Sequence, residues 1–132
     1  MANLNELIVG YLTVNKIAFT GNEWATGQVG TSPETITYWD TAKLGPQPSQ
    51  AQLDSAYATY LDQQKALANK DKAKQLLADT DWIDIASVSD SGESPHLVNK
   101  ADFTTYRRAL RVIAVTPTSS AVFPTKPEAV WA

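Results

Sequence analysis

The residues best suited to chemistry lie in LLADTDWIDI, Leu76 to Ile85, where three aspartates surround one tryptophan. Asp79, Asp81 and Asp84 are close enough in sequence to suggest a metal site or a proton-transfer pair. An EF-hand loop starting at Asp79 would need an oxygen ligand at its fifth position and glycine at its sixth. The sequence has Ile83 and Asp84 at these positions. A catalytic carboxylate pair would need a cleft and a perturbed environment, and nothing in the sequence indicates either.

A structural role accounts for the same stretch without any chemistry. Aspartate is common in turns, at helix caps and on solvated surfaces. We therefore expect the segment ADTD to end a helix, after which Trp82, Ile83 and Ile85 turn inwards and begin a small core. In that core, we expect Trp82 to be largely buried against Tyr106 and Leu110.

Other motifs for catalysis or metal binding are absent from the sequence. His96 is the only histidine, and the chain has no G-x-S-x-G nucleophile elbow. Phosphate-loop, dinucleotide-binding and zinc-protease motifs do not occur. The chain has no cysteine, which excludes disulfides, thiolate zinc sites and thiol catalysis. We therefore predict a protein that is not an enzyme, with no catalytic residue, no cofactor and no metal.

The arginines of YRRALR are the one cluster that could bind phosphate. They are Arg107, Arg108 and Arg111. In a chain with a net charge of −3 and a pI near 5.0 there is no polybasic field to attract nucleic acid or anionic lipid. We therefore expect the three side chains on the solvated face of a helix, and we expect no nucleic-acid partner.

The length and composition predict a small globular protein. The 132 residues suffice for one ordinary domain or two very small ones, and 43% of them are hydrophobic. The N-terminal stretch MANLNELIVGYLTV has Glu6 and no basic residue before its apolar run, unlike a signal peptide. No stretch reaches the roughly 20 apolar residues that a membrane-spanning helix needs. We expect a soluble protein that does not contact a membrane.

Residues 1–45 are predicted to be a β-rich docking segment. LIVGYLTVNKIAF, Leu7 to Phe19, is dense in β-branched and aromatic residues, and TITYWD, Thr35 to Asp40, alternates like a strand. Glycines and Pro33 between these runs favour turns. Three or so short strands cannot bury both faces of a sheet. We therefore expect their unpaired edges to be covered by a partner, so that this segment carries the partner contact.

Residues 46–79 are predicted to form one long helix. Pro46 and Pro48 hold the preceding chain extended, and Ser49 with Gln52 fits a capping box. Roughly 30 residues without glycine or proline follow, rich in strong helix formers.

The apolar stripe of this helix leaves two interpretations open. The stripe includes Leu53, Tyr57, Tyr60 and Leu67. Continued at heptad spacing, it meets polar residues such as Gln64 and Asp71, which argue against a tight seam. We favour a lone connector helix that is partly packed over a self-associating coiled coil.

Residues 80–132 are predicted to form a small helical unit with an extended, proline-containing tail. Asn99 can cap a helix that begins at Lys100, and Pro117 stops it. The apolar positions of this helix recur at spacings typical of one face; they are Phe103, Tyr106, Leu110 and Ile113. The tail AVFPTKPEAVW is too apolar for a disordered segment, so we expect it to fold back over the helices. The fold class predicted for the whole chain is α+β.

Three motifs in this region resemble the C-terminal domain of phage tail assembly chaperones. Members of that family typically show LL..TDW, then a helix with W..YR.ALR, then a terminal FP..P segment. This sequence matches the first motif at Leu76, Leu77, Thr80, Asp81 and Trp82. It matches the second at Tyr106, Arg107, Ala109, Leu110 and Arg111, with Phe103 where tryptophan is usual. It matches the third at Phe123, Pro124, Thr125, Lys126 and Pro127. The resemblance extends at its widest from Tyr38 to Trp131.

The resemblance implies a non-enzymatic tail-fibre assembly chaperone. Such a protein binds a tail-fibre protein in the host cytoplasm during assembly, and it can remain on the virion tail. Because phage tail fibres are generally trimeric, the resemblance further implies three copies around one fibre axis. Leu53, Tyr57, Tyr60 and Leu67 would then face neighbours in the assembly. The alternative function is a structural virion component of the fibre, such as a tip or a baseplate attachment piece.

Overall fold

A computed structural model describes residues 2–132. The helices and strands, in chain order, are α1 (Leu4–Val14), β1 (Trp24–Gly27), β2 (Thr35–Trp39), α2 (Thr41–Leu44), α3 (Gln50–Asp79) and α4 (Lys100–Val115). Two 3-10 helices, Asp81–Asp84 and Ala86–Ser89, lie between α3 and α4. Of the described residues, 53% are helical and 8% are in strands or bridges, which confirms the α+β class with a small β part.

The chain divides into two compact units. The first unit is Met1–Asp62 and the second is Gln63–Ala132. The dividing point lies inside α3, so the two ends of this helix contribute side chains to different units. Among residues 2–132, no helix is long and apolar enough to cross a lipid bilayer.

The first element of the chain is a helix, where the sequence predicted a strand. The Asn3 side chain accepts a hydrogen bond from the Glu6 backbone N–H at 2.9 Å and so caps α1. Buried Leu4, Ile8 and Leu12 then recur at every fourth position, which places them on one helix face. The strand prediction for this part of the chain is wrong because strand propensity is weak against such packing. Asn15 and Lys16 form the turn that follows α1.

The core of the first unit is formed by side chains from α1, β1, α2 and the beginning of α3. Its buried residues are Leu4, Ile8, Leu12, Trp24, Leu44 and Leu53. The indole N–H of Trp24 donates to Asn5 Oδ1 at 2.7 Å, and that of Trp39 donates to the Gly45 carbonyl at 2.9 Å. Both rings therefore pack against apolar neighbours while their polar atoms stay paired.

The sheet of the first unit has two antiparallel strands. Trp24 pairs with Trp39 and Gly27 with Thr35, and the register shifts between Ala25 and Thr26. The strand predicted in TITYWD is confirmed as β2. The sheet therefore has two strands where about three were predicted. Each strand has one edge that pairs with no other strand of the described residues.

Glu23 fixes the turn that leads into β1. Its carboxylate accepts hydrogen bonds from the Thr20 backbone N–H and hydroxyl and from the Gly21 N–H, at 2.8 to 3.1 Å. Burial by itself would raise the pKa of Glu23, but these hydrogen bonds outweigh it and lower the pKa from 4.5 to about 2. Folding therefore stabilises the charged form of the Glu23 carboxylate.

The capping box predicted for α3 is confirmed. The Ser49 backbone N–H donates to Gln52 Oε1 at 2.8 Å, and the Gln52 N–H donates to Ser49 Oγ at 3.2 Å. The helix ends at Asp79, within the ADTD segment as predicted.

The second unit is built around α4. The predicted face of α4 is confirmed, since Phe103, Tyr106, Leu110 and Ile113 are all buried. The predicted return of the tail is also confirmed, because Leu97 forms an antiparallel bridge with Trp131. Ile85, which we predicted to turn inwards, is 55% exposed. It lies between the two short 3-10 helices, whereas Ile83 is buried in the core as predicted.

A first prediction concerns the pH dependence conferred by Glu23. Because the folded pKa lies below the ordinary value, the unfolded chain binds this proton first as pH falls. The stabilisation is therefore fully present above pH 4.5 and is lost as pH falls towards about 2. We expect Glu23→Gln to lower the melting temperature at pH 7, with a deficit that shrinks steadily in thermal melts between pH 4.5 and 2. Glu34→Gln is the matched control at an exposed position, and we expect its melting temperature at pH 7 to stay close to that of wild type. A deficit that does not change with pH would contradict the assignment.

Candidate functional site: the Arg107 clasp and its surroundings

The first two motifs of the resemblance meet at Arg107. From α4, its Nη1 donates to the Leu77 carbonyl at 2.6 Å and to Thr80 Oγ1 at 2.7 Å. Its Nη2 donates to Asp81 Oδ1 at 2.8 Å. The Leu77 carbonyl is one of the last four of α3, which lack the usual intrahelical partner. We call these four residues, Leu77, Thr80, Asp81 and Arg107, the Arg107 clasp.

The clasp is polar but mostly shielded from water on the arginine side. The Arg107 side chain is 16% exposed, whereas that of Asp81 is 69% exposed. An ion pair with such an exposed partner contributes at most about 1 kcal/mol. The stronger contribution comes from the hydrogen bonds to the Leu77 carbonyl and to the fully buried Thr80. The clasp is therefore chiefly a cap on the C-terminal end of α3, where a cation also complements the helix dipole.

The clasp corrects part of the arginine prediction. Arg108 and Arg111 are exposed, as predicted, but Arg107 is not on the solvated face. Position 107 follows Phe103 by four residues and precedes Leu110 by three, so it flanks the buried face of α4. Sequence reasoning missed this role, although one signal was available, namely an arginine beside an apolar stripe and a helix end rich in acids.

Two of the three aspartates around Trp82 lie near Arg107, whereas Asp79 accepts a hydrogen bond from Gln75 at 3.0 Å. Asp81 accepts from Arg107, and Asp84 Oδ2 lies 4.0 Å from the same guanidinium. A small hollow of about 160 Å³ adjoins the clasp and is lined by Ile83, Asp84, Thr104, Arg107 and Arg111. In residues 2–132, no three His, Cys, Asp or Glu side chains are grouped so that they could hold a metal ion. The arrangement joins two segments of chain, and a cation at these aspartates would have to compete with Arg107.

Trp82 lies between two other rings. Its ring centroid is 5.4 Å from that of Phe103 in an edge arrangement and 5.9 Å from that of Trp131 in a stacked arrangement. Trp82 is only partly buried, and its ring partners differ from the predicted Tyr106 and Leu110. The reason is that the buried position of the 3-10 helix is taken by the next residue, Ile83. Trp82 instead forms the junction between this core and the tail.

The Asn99 side chain binds the backbone of the tail at Glu128 and Val130. Helix α4 begins at Lys100 as predicted, but the Asn99 side chain makes no capping hydrogen bond to it. Instead its Nδ2 donates to the Glu128 carbonyl at 2.7 Å and its Oδ1 accepts from the Val130 N–H at 2.9 Å. An amide can do both because it carries a donor and an acceptor.

The third motif is held against the second half of α3. The ammonium group of Lys72 lies 4.4 Å from the ring centroid of Phe123, a cation–π distance. One turn earlier on α3, Asn69 Nδ2 donates to the Thr118 carbonyl at 2.9 Å. The first two motifs thus meet at Arg107, and the third contacts α3 through Lys72.

The four residues predicted to bind a partner have different surroundings. Leu53 is 2% exposed in the core of the first unit, so it faces its own chain, where the beginning of α3 packs with α1 residues. Tyr57 and Tyr60 are partly buried and stacked on each other with centroids 6.0 Å apart. Leu67 is 50% exposed. The surface part of the predicted stripe therefore consists of the two tyrosines and Leu67.

No family model matches this chain, and neither does any curated protein or solved structure. The motifs and the contacts between them are therefore the basis on which a function can be proposed.

A second prediction tests the Arg107 clasp. Arg107→Ala removes the guanidinium hydrogen bonds to the Leu77 carbonyl and to Thr80, and we expect it to destabilise the second unit by about 2 kcal/mol. Asp81→Asn keeps those two hydrogen bonds and should cost about 0.5 kcal/mol. Arg111→Ala, at an exposed position one turn further along the same helix, should stay within about 0.5 kcal/mol of wild type. Native-state hydrogen exchange of the α4 amides measures all three in the full chain. Equal effects of Arg107→Ala and Arg111→Ala would show that the clasp does not stabilise the second unit.

A third prediction ranks the aromatic residues. Phe103 is 1% exposed, so Phe103→Ala should cost about 3–5 kcal/mol, the range for a core aromatic. Trp82 is only partly buried, so Trp82→Ala should cost less, about 2 kcal/mol for the area it covers. The same exchange experiment gives both values. A larger loss for Trp82 than for Phe103 would mean that the tryptophan, and not the phenylalanine, organises this core.

Proposed function

We propose that this chain is a non-enzymatic tail-fibre assembly chaperone of a bacteriophage, which binds a tail-fibre protein and helps it to fold or assemble. The observation that carries the proposal is the Arg107 clasp. It links Thr80 and Asp81 of the first family-like motif to Arg107 of the second. These are residues on which the resemblance rests, and they lie 26 or 27 positions apart in the sequence.

The clasp supports the proposal because residues of the first two motifs bind one another directly. Residues that resemble a family pattern by chance have no reason to contact one another. Here the motif residues satisfy one another's hydrogen bonds and fix the end of a helix. A fold that is fixed in this way suits a protein that presents a defined surface to a partner.

The surface of the second unit also suits a binding protein. Several apolar side chains there are at least half exposed: Leu67, Val98, Val112, Val115, Val122, Val130 and Trp131. Val112 and Val115 lie on the same side of α4, three residues apart. Exposed apolar side chains that adjoin one another are typical of surfaces that contact other proteins.

The site of the partner contact belongs to the proposal as well. We place it on the first unit, where the two-stranded sheet leaves both of its outer edges unpaired. The copy number of three around a fibre axis and the action in the host cytoplasm are further parts of the same proposal.

A fourth prediction tests the function directly. The tail-fibre proteins of the phage that carries this gene are each co-expressed with and without the chain, and soluble trimeric fibre is measured by size-exclusion chromatography with light scattering. We expect one fibre protein to reach the trimeric state efficiently only in the presence of the chain and to co-purify with it. Arg107→Ala should lower that yield, whereas Arg111→Ala should leave it unchanged. Fibre trimers that form equally well without the chain would refute the chaperone proposal.

Purified phage particles provide the second measurement. A chaperone that leaves after assembly is absent from them, and one that stays is present in a fixed ratio to the fibre. A fixed ratio together with no effect on fibre yield would identify a structural component of the fibre instead.

A further inference from the structure

The first unit carries a groove beside α1 and the beginning of α3. Its largest part is a hollow of about 720 Å³ whose apolar lining includes Leu4, Leu7, Pro33 and Tyr57. Past Tyr57, a second hollow of about 370 Å³ continues along Val9 and Tyr60. We call these two adjoining hollows the α1–α3 groove.

The groove exists because of a close approach between two helices. Gly10 of α1 faces Tyr57 of α3, and a Cβ atom at position 10 would lie 3.0 Å from Tyr57 Cδ1. A side chain at Gly10 would therefore displace the Tyr57 ring, which lines both hollows. The shape of the groove is thus set by side chains that pack tightly against each other.

The charges at the groove are all of one sign. Glu6, Glu34 and Asp54 line it, and no lysine or arginine is among its described lining residues. The whole first unit has the same bias. It contains six acidic residues and only two basic ones, Lys16 and Lys43, whereas the second unit contains eight acidic and nine basic residues.

Two of these three acids have a structural use within the fold. Glu6 lies in the first turn of α1, where a negative charge complements the helix dipole. Asp54 lies near the start of α3 and accepts a hydrogen bond from Gln50 at 2.9 Å. Glu34 has no such use, because its carboxylate makes no hydrogen bond or ion pair with any residue in the described part of the chain. It is an exposed charge beside an apolar hollow, without an internal partner.

We propose that the α1–α3 groove docks a segment of a partner protein that carries one large apolar side chain with Lys or Arg on either side. The apolar side chain would cover Leu7 and Tyr57, and the flanking cations would approach Glu34 and Asp54. An acidic segment of the same shape is excluded because like charges would be brought together. The inference rests on the proposed function, since it names the chemistry by which a tail-fibre protein is recognised.

The test uses synthetic peptides and the full chain. The probe is Gly-Lys-Phe-Lys-Gly with blocked ends, and the matched controls are Gly-Glu-Phe-Glu-Gly and Gly-Lys-Ala-Lys-Gly. Amide chemical shifts of the isotope-labelled chain are followed during titration. We expect saturable shifts around Leu7, Glu34 and Asp54 with the Lys-Phe-Lys peptide alone, and weaker binding at high salt. Equal binding of the Glu-Phe-Glu peptide, or no shifts in the groove with any peptide, would overturn the proposal.

Variants identify the charges responsible. Glu34→Gln and Asp54→Asn should each weaken binding of the Lys-Phe-Lys peptide by about two- to fivefold, the effect of losing one exposed ion pair. Asp71→Asn makes the same charge change on an exposed position of the second unit and should have no effect. The melting temperature of each variant shows whether it still folds. Folded groove variants that bind as tightly as wild type would refute the role of these acids.

Two further outcomes separate this inference from the function on which it rests. If the Glu34→Gln, Asp54→Asn double variant still captures the fibre protein as well as wild type does, the docking site is elsewhere while the chaperone function stands. If groove shifts depend on the concentration of the chain without any peptide, the occupant is a second copy, and the partner segment proposed here is wrong.

Discussion

The second unit depends on one guanidinium group placed at the end of one helix. A helix of 30 residues must end with carbonyls that have no intrahelical partner, and here that end lies beside a fully buried threonine. The Leu77 carbonyl there accepts from the Thr80 backbone N–H at 3.1 Å and from the Thr80 hydroxyl at 3.2 Å, and a further donor comes from elsewhere in the chain. Arg107 supplies it with a planar fork that reaches a carbonyl, a hydroxyl and a carboxylate together. No buried side-chain nitrogen or oxygen lacks a partner anywhere in residues 2–132.

The packing of the second unit follows from that constraint. Once Arg107 fixes α4 against the end of α3, Phe103 on the same helix meets Trp82 of the 3-10 helix. Trp82 in turn offers its other face to Trp131 of the tail. The clasp, the core and the tail are therefore joined by one continuous series of contacts. The side-chain contacts matter for the tail because it contains several prolines, and a proline has no N–H with which to form backbone hydrogen bonds.

The sequence predicted the parts of the fold whose signals are local. Helix α3 has strong helix formers and a capping box, and α4 has an unambiguous apolar period, so both were found with their ends nearly correct. Helix α1 was missed because Leu7–Val14 is rich in residues that favour strands, and only the burial of every fourth residue decides for a helix. The clasp was missed for a related reason. An arginine beside an apolar stripe is usually solvated, and its role depends on a helix end 27 residues away.

Charged residues in this chain fall into two groups that sequence alone does not separate. Glu23 and Glu34 are the same residue type and each directly precedes a strand, yet the first accepts four hydrogen bonds and the second accepts none from the described residues. Arg107 and Arg111 differ in the same way on α4. A charge whose partners are all internal has no remaining capacity for a ligand, because binding one would break contacts that the fold needs. A charge without internal partners can be paired from outside at no such cost. Recognition in this protein is therefore expected where the fold leaves charges unpaired beside apolar surface, and the α1–α3 groove with Glu34 meets both conditions.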